Sequence, residues 1–202
     1  MADTLDLLTL AEGKTAINIS TTDHDTELAM QITAVSRIID EHVGPVVQRT
    51  ITAEVHPPGR VSTRYAPIVS VSLLRELVGA TATTRASVAW GGTTEGYYLD
   101  PSLNGRIYYT SGGTLSDWSN GLVEVSYVAG RYATTAAVDA RFKSCAGAVL
   151  RRLWKREAGT WAQSADFFES IDSNDTSSIG FYRVARPIID EMLGDQRPAL
   201  VG

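Results

Sequence analysis

The sequence predicts an α+β protein: a bundle of about four helices with a small antiparallel β-sheet or barrel inserted between its parts. Three observations predict it. Apolar residues recur at helical spacing in the first and last parts of the chain. The middle part instead alternates apolar and polar residues between glycine-bearing turn pairs. The formal charge changes where the pattern changes. Residues 1–44 carry a balance of −6, 45–130 of zero, 131–157 of +5 and 158–202 of −4, within a chain total of −5. The boundaries that follow are N-terminal helices over 1–45, a β-rich insertion over 46–130, and C-terminal helices with a tail over 131–202. The two helical parts are expected to pack together as one core.

The first helix is read from its start signal. Thr9-Leu10-Ala11-Glu12 has capping-box spacing, in which the threonine accepts from the amide three residues on and the glutamate reaches back. The helix then runs from about Leu10 to Ile17. Ser20, Thr21, Thr22 and Asp23 form a loop and a second cap. Leu28, Ile32, Val35, Ile39 and Val43 then fall on one stripe of a helical wheel. Gly44-Pro45 stops that helix.

Val46 to Val55 alternates β-branched and polar residues, and Pro57-Pro58-Gly59 is a turn. Ile68–Leu74 and Leu122–Val128 read as strands. Shorter strands fit Ala86–Trp90, Tyr97–Leu99 and Arg106–Thr110. Gly91-Gly92, Asn104-Gly105, Gly112-Gly113 and Asn120-Gly121 separate them as turns. The third helix has the strongest pattern. Thr134 or Thr135 caps it, Gly159 ends it, and Val138, Phe142, Cys145, Val149 and Leu153 share a face. Residues 160–178 read as a Ser- and Asp-rich loop with a short helical turn near Phe167. A last helix covers about Tyr182 to Leu193, and Pro187 kinks it or marks its start. From Gly194 the chain reads as an extended tail.

Nothing in the sequence assembles a catalytic constellation. His24, His42 and His56 lack any ligand spacing, and His42 suits the negative end of its helix. Asp23 with Asp25 sits at a helix start, and Asp40 with Glu41 on a solvated helix flank. Neither reads as an acid–base pair. There is no nucleophile elbow, phosphate loop or dinucleotide fingerprint. The single cysteine, Cys145, lies on an apolar face and reads as a small buried hydrophobe, unable to form an internal disulfide or a zinc site alone. No cofactor and no enzyme activity are expected. The opening residues lack a signal-peptide pattern, and no apolar run approaches the ~20 residues that cross a bilayer. No membrane partner is expected, and a cytoplasmic site of synthesis is expected. The acidic pI of about 5.2 argues against tight phosphate binding.

Two surfaces remain as candidates. Arg141, Arg151, Arg152 and Lys155 cluster on one flank of the third helix. They fit a salt-bridged face meeting the acidic first and last segments, an interface with an acidic surface of another subunit, or a DNA contact. Trp90, Tyr97, Tyr98, Tyr108, Tyr109, Trp118 and Tyr127 fit a sheet core or subunit interface better than a stacking site for ligands.

The order of these elements resembles the head-to-tail adaptors, or head-tail connector proteins, of tailed bacteriophages. The resemblance rests on Leu7-Leu8-Thr9-Leu10-Ala11-Glu12-Gly13-Lys14, on Ile38 through Val47, on Pro67-Ile68-Val69-Ser70-Val71, and on Tyr127-Val128-Ala129-Gly130-Arg131. It continues in Leu153 through Gly159, in Ile179-Gly180-Phe181-Tyr182 and in the closing helix from Pro187. The resemblance implies a structural protein of the virion neck, docked on the portal protein as a homo-oligomeric ring of about twelve copies. A downstream neck, stopper or tail protein would sit on it, and genomic DNA would pass through it without specific binding. Arg197, Pro198, Leu200 and Val201 in the tail are then candidates for docking on the portal. The alternatives are a stopper or tail-completion protein and, from another class, a carbohydrate-binding β module.

Overall fold

The computed structural model describes residues 3–100, 105–119, 121–161 and 176–194. The elements run α1 (Leu10–Ile17), α2 (Asp25–Val43), β1 (Arg49–His56), β2 (Val61–Ser62), β3 (Ile68–Val78) and β4 (Thr81–Thr84). They continue with β5 (Gly96–Leu99), β6 (Arg106–Ser111), β7 (Thr114–Ser116), β8 (Leu122–Ala129), α3 (Ala140–Trp161) and α4 (Thr176–Leu193). The expected α+β class holds among these residues, with four helices and two antiparallel sheets. The chain divides into two compact units. One comprises Met1–Val47 and Tyr132–Arg197, and the other Gln48–Arg131.

In the helical unit, α1 begins as its sequence dictates. The Thr9 hydroxyl accepts from the Glu12 amide at 3.2 Å, and the Glu12 carboxylate accepts from the Thr9 amide at 2.8 Å. Asn18 closes the helix in the left-handed region (φ 60°), which lets the Ile19 amide reach back to the Lys14 carbonyl at 3.0 Å. The start of α2 departs from expectation. His24 is its N-cap and no side chain caps it, so Ser20–Asp23 form only the loop. Lys14 instead meets the first-turn acid Asp25 at 2.5 Å. Leu28, Ile32, Val35, Ile39 and Val43 are all buried, as their spacing requires. They pack against Val138, Phe142, Cys145, Val149 and Leu153, and against Ala185, Ile189 and Leu193 of α4.

Two ends in this unit are also corrected. Thr135 does not cap α3. It opens a 3₁₀ turn (Thr135–Ala137), and its hydroxyl donates to the Asp6 carbonyl at 2.6 Å. The N-terminal turn of α3 is held by Asp139, whose carboxylate accepts from the Arg141 amide at 2.8 Å. Gly159 does not end the helix, which continues to Trp161. A glycine stops a helix only where the chain turns left-handed, and otherwise costs about 1 kcal/mol in place. Pro187 does not start α4, which begins at Thr176 and keeps its buried stripe on both sides of the proline. The expected turn near Phe167 and the tail residues Arg197, Pro198, Leu200 and Val201 lie outside the described residues.

Asp6 anchors the N-terminal segment from within. It is 2% exposed, and its carboxylate accepts from the Asp3 amide at 2.7 Å and the Thr33 hydroxyl at 3.0 Å. Burial raises its pKa above the ordinary 3.8, against the opposing effect of those hydrogen bonds. The folded chain therefore holds this proton more tightly than the unfolded chain. Stability from Asp6 is greatest at acid pH and is lost as pH rises from 3.8 through the higher folded value. Asp6→Asn keeps an acceptor and removes the charge, so its stability relative to the native chain should climb over that window. Urea denaturation at stepped pH would test this, and parallel pH profiles for the two proteins would refute it.

In the β unit, one sheet has the order β1-β8-β3-β4 and the other β2-β6-β5, with β7 on β6. β8 alternates cleanly and buries Val123, Val125, Tyr127 and Ala129. Tyr127 donates to Glu54 at 2.5 Å and accepts from the Tyr65 amide at 3.3 Å. Trp118 is buried with its indole N–H on the Ile107 carbonyl at 3.1 Å. Edge strand β1 carries a bulge between Ile51 and Glu54, where Ala53 takes φ 54°. The peptide bond before Pro67 is cis.

The expected strand over Ala86–Trp90 is not a strand. Only Ser87 bridges, in parallel, to Tyr97. The strand lies earlier, at Thr81–Thr84, where all four residues are exposed and no burial alternation marks it. β2 and β7, of two and three residues, were likewise too short to show a period. The strand expected over Val46–Val55 begins at Arg49, because Val46 and Val47 belong to the helical core.

Candidate functional site

The basic flank of α3 is divided by the fold into structural and unpaired groups. The Arg141 guanidinium donates from Nε to the Met192 carbonyl in the last turn of α4, at 2.8 Å. Arg151 does the same for the Ala16 carbonyl in the last turn of α1, at 2.8 Å. Both cations sit at helix ends where free carbonyls and the helix dipole favour positive charge. Lys143, which sequence reasoning did not single out, pairs with Glu12 at 2.6 Å. Burial would raise the Glu12 carboxyl, but the bonds from Lys143 and Thr9 outweigh it and hold the group below its usual range.

Arg152 and Lys155 remain. Both are exposed, and neither has a partner among the described residues. Lys155 and Arg151 border a depression of about 270 Å³ over the end of α1, whose walls include Thr15, Ile17, Asn18 and Trp154. His24 meets the Trp154 ring edge-on, with centroids 6.0 Å apart.

Two exposed acids lie near the other end of α3. Arg141 brings the C-terminal turn of α4 to the start of α3, and His42 joins α2 to α4 through Asp190 at 2.9 Å. Glu41 and Glu191 flank that junction, exposed and without partners among the described residues. Arg141 and Arg152 are separated by roughly 16 Å along the helix axis, at about 1.5 Å per residue. The helical unit thus carries two exposed cations toward one end of α3 and two exposed acids beside the α2–α4 contact near its other end. Asp40 does not share the solvated flank that the sequence assigns to it with Glu41. Asp40 is 9% exposed, and its carboxylate accepts from the buried Val46 amide at 2.9 Å, closing the turn after α2.

The other candidate residues fall to structural roles. His24 contacts Glu27 at 3.0 Å and His56 contacts Glu54 at 3.1 Å. Cys145 is fully buried, and burial pushes its thiol up to about 11. No group of His, Cys, Asp and Glu among the described residues could hold a metal ion. No helix among them is long and apolar enough to cross a membrane. Of the aromatic set, Tyr97, Trp118 and Tyr127 are buried in the β unit. Among the aromatic residues whose burial is described, Trp90 alone is largely exposed, at 71%, with its ring edge-on to Tyr98 at 5.1 Å.

Comparison with known proteins finds likeness in fold. One chain in the neck of an empty gene transfer agent (GTA) particle, computed with C6 symmetry, is 17% identical, with a TM-score of 0.51 over 97% of this chain and 92% of that chain. One in the neck of the native particle, computed with C12 symmetry, is 16% identical, with a TM-score of 0.50 over 100% of this chain and 97% of that chain. At this identity the likeness establishes a shared fold over nearly the whole of both chains. No family model and no curated protein matches the sequence.

Proposed function

We propose that this chain is a structural component of the neck of a tailed phage or phage-like particle, a head-to-tail adaptor that forms a ring below the portal protein. The observation that carries this reading is the whole-length fold likeness to chains from a particle neck with C6 or C12 symmetry. The order of elements in the sequence supports the adaptor position, and the ring would continue the DNA channel toward the next neck or tail protein.

The charge layout of the helical unit supports a ring. Closed rings of identical subunits join unlike surfaces head to tail. Arg152 and Lys155 on one subunit would face Glu41 and Glu191 on the next. Arg141 and Arg151 would serve the interface indirectly, by holding α4 and α1 against α3.

The test is electron microscopy of the purified chain mixed with the portal protein of the same particle. The expected result is a closed ring added beneath the portal. Binding to a tail component and not to the portal would reassign the chain to a later neck position, and binding to neither would remove the neck reading. Arg152→Glu with Lys155→Glu should raise the concentration needed for ring formation roughly tenfold, an effect that shrinks at high salt. Adding Glu41→Lys and Glu191→Lys to the same chain should restore it. Unchanged assembly of the first variant would exclude this charge pair from the interface.

A further inference from the structure

The β unit ends on two sides in strand edges of different character. On one side, β4 pairs with β3 from Val78↔Thr81 to Arg75↔Thr84, and the Arg85 amide donates to the Leu74 carbonyl at 2.9 Å. Alternate residues of an antiparallel strand direct their backbone groups to the same neighbour. With Arg85 bonded inward, Ala82 and Thr84 turn their N–H and C=O groups away from β3. No described residue pairs with those groups. The chain then crosses to the second sheet. The Tyr97 amide donates to the Ala86 carbonyl at 2.9 Å, and the Val88 amide donates to the Tyr97 carbonyl at 2.8 Å. Residues 81–84 are therefore an outer edge of the first sheet, while Ala86 and Val88 spend the groups on that same side on Tyr97 of β5. β4 carries no charged residue, and Arg85 just after it is turned inward onto Glu76 at 2.5 Å and Glu95 at 2.6 Å. Exposed Trp90 lies two residues beyond Val88.

The other side is made by β1, β2 and β7. β6 holds β5 along one side and β2 and β7 along the other, so β7 lies across the second sheet from residues 86–88. β1 is protected by its bulge and by the Glu54 side chain, which accepts from the Arg64 amide at 2.8 Å. β2 has only two residues. β7, Thr114-Leu115-Ser116, carries no charge, bulge or proline, and its outer edge has no described partner.

We propose that β4 (Thr81–Thr84) of one copy pairs with β7 of the next copy, joining the β units of a ring head to tail. This rests on the ring reading above and gives it a backbone-bonded contact. The two unguarded edges stand on opposite sides of one unit, which is the arrangement a head-to-tail ring needs. Both are uncharged and threonine-bearing, so β-branched side chains would oppose one another and no like charges would meet. A natural sheet edge without charge, bulge or proline pairs readily with another strand. Pairing β4 with β4 about a two-fold axis would stop at a dimer and leave β7 unused.

The test uses the full chain assembled on the portal, with rings verified by electron microscopy. Cys145 is fully buried, so introduced cysteines can be cross-linked selectively. The Thr83→Cys, Thr114→Cys double variant, treated with a short bismaleimide, should give a ladder of covalent oligomers, and each single variant should give none. Rings without a ladder would overturn the proposal while leaving the ring reading intact. Dimers from Thr83→Cys alone would overturn it in favour of two-fold pairing. Absence of rings from the native chain would remove the ring reading itself. As a second arm, Ala82→Pro and Thr84→Pro remove only outward amides. They should weaken assembly roughly tenfold with little change in melting temperature. Normal assembly of both would overturn the proposal.

Discussion

Gly121→Ala should destabilise the β unit by roughly 3 kcal/mol, placing it among the most damaging single-methyl additions in the chain. Gly121 has φ 78°, where any residue with a Cβ is strained. It also lies at the start of β8, against the end of β3. A Cβ there would stand 2.1 Å from the Leu77 carbonyl oxygen and 2.9 Å from the Val78 side chain. A backbone carbonyl inside a strand pair cannot rotate aside as a flexible side chain could. Either the Leu77↔Leu122 register opens or the strand end frays, and β8 is the strand that both β1 and β3 pair with. Thermal or urea denaturation followed by tryptophan fluorescence would read the loss through Trp118, which is buried in this unit. A shift below about 0.5 kcal/mol would mean that the strand ends adjust freely and the close approach carries no stability.

The second large effect is in the helical unit. Leu150→Ala should cost about 2–5 kcal/mol, the usual range for deleting a fully buried leucine side chain. Leu150 is 0% exposed, on α3. It sits where α1 crosses α2 and α3. A Cβ on Gly13 of α1 would lie 2.5 Å from Ile32 Cδ1 on α2 and 3.6 Å from Leu150 Cδ2. The bare backbone of Gly13 therefore lets three helices meet at one point. Removing the leucine leaves a cavity that rigid helices cannot collapse to fill. Denaturant unfolding followed by circular dichroism at helical wavelengths would measure it. A cost under about 1 kcal/mol would show that α1 moves in to close the gap.

The helices were legible from sequence because their burial is periodic. The Thr9–Glu12 box, the α2 stripe from Leu28 to Val43 and the α3 stripe from Val138 to Leu153 all lie where their spacing places them. The long strands β3 and β8 were legible for the same reason. The short strands at Tyr97–Leu99 and Arg106–Thr110 were legible too, and what failed was set by non-local pairing. Thr81–Thr84 is a strand because β3 is long enough to offer it a partner, and nothing in four exposed residues announces that. Asp139, not the neighbouring threonines, caps α3 because Thr135 is drawn to the Asp6 carbonyl, far away in sequence.

The same division holds for the candidate site. The sequence by itself determined the α+β class, the element order, the charged blocks and the basic flank Arg141, Arg151, Arg152 and Lys155, since each is a property of local composition and period. Only the tertiary structure decided which of those cations are free. Arg141 and Arg151 are committed to the carbonyl ends of α4 and α1, while Arg152 and Lys155 face outward. It also decided that Asp40 is an internal acceptor, that His42 meets Asp190, and that two bare strand edges lie on opposite sides of the β unit. The physical reason is that burial leaves a period in the sequence, whereas a hydrogen-bond or ion-pair partner depends on which segments the fold brings within about 3 Å of one another.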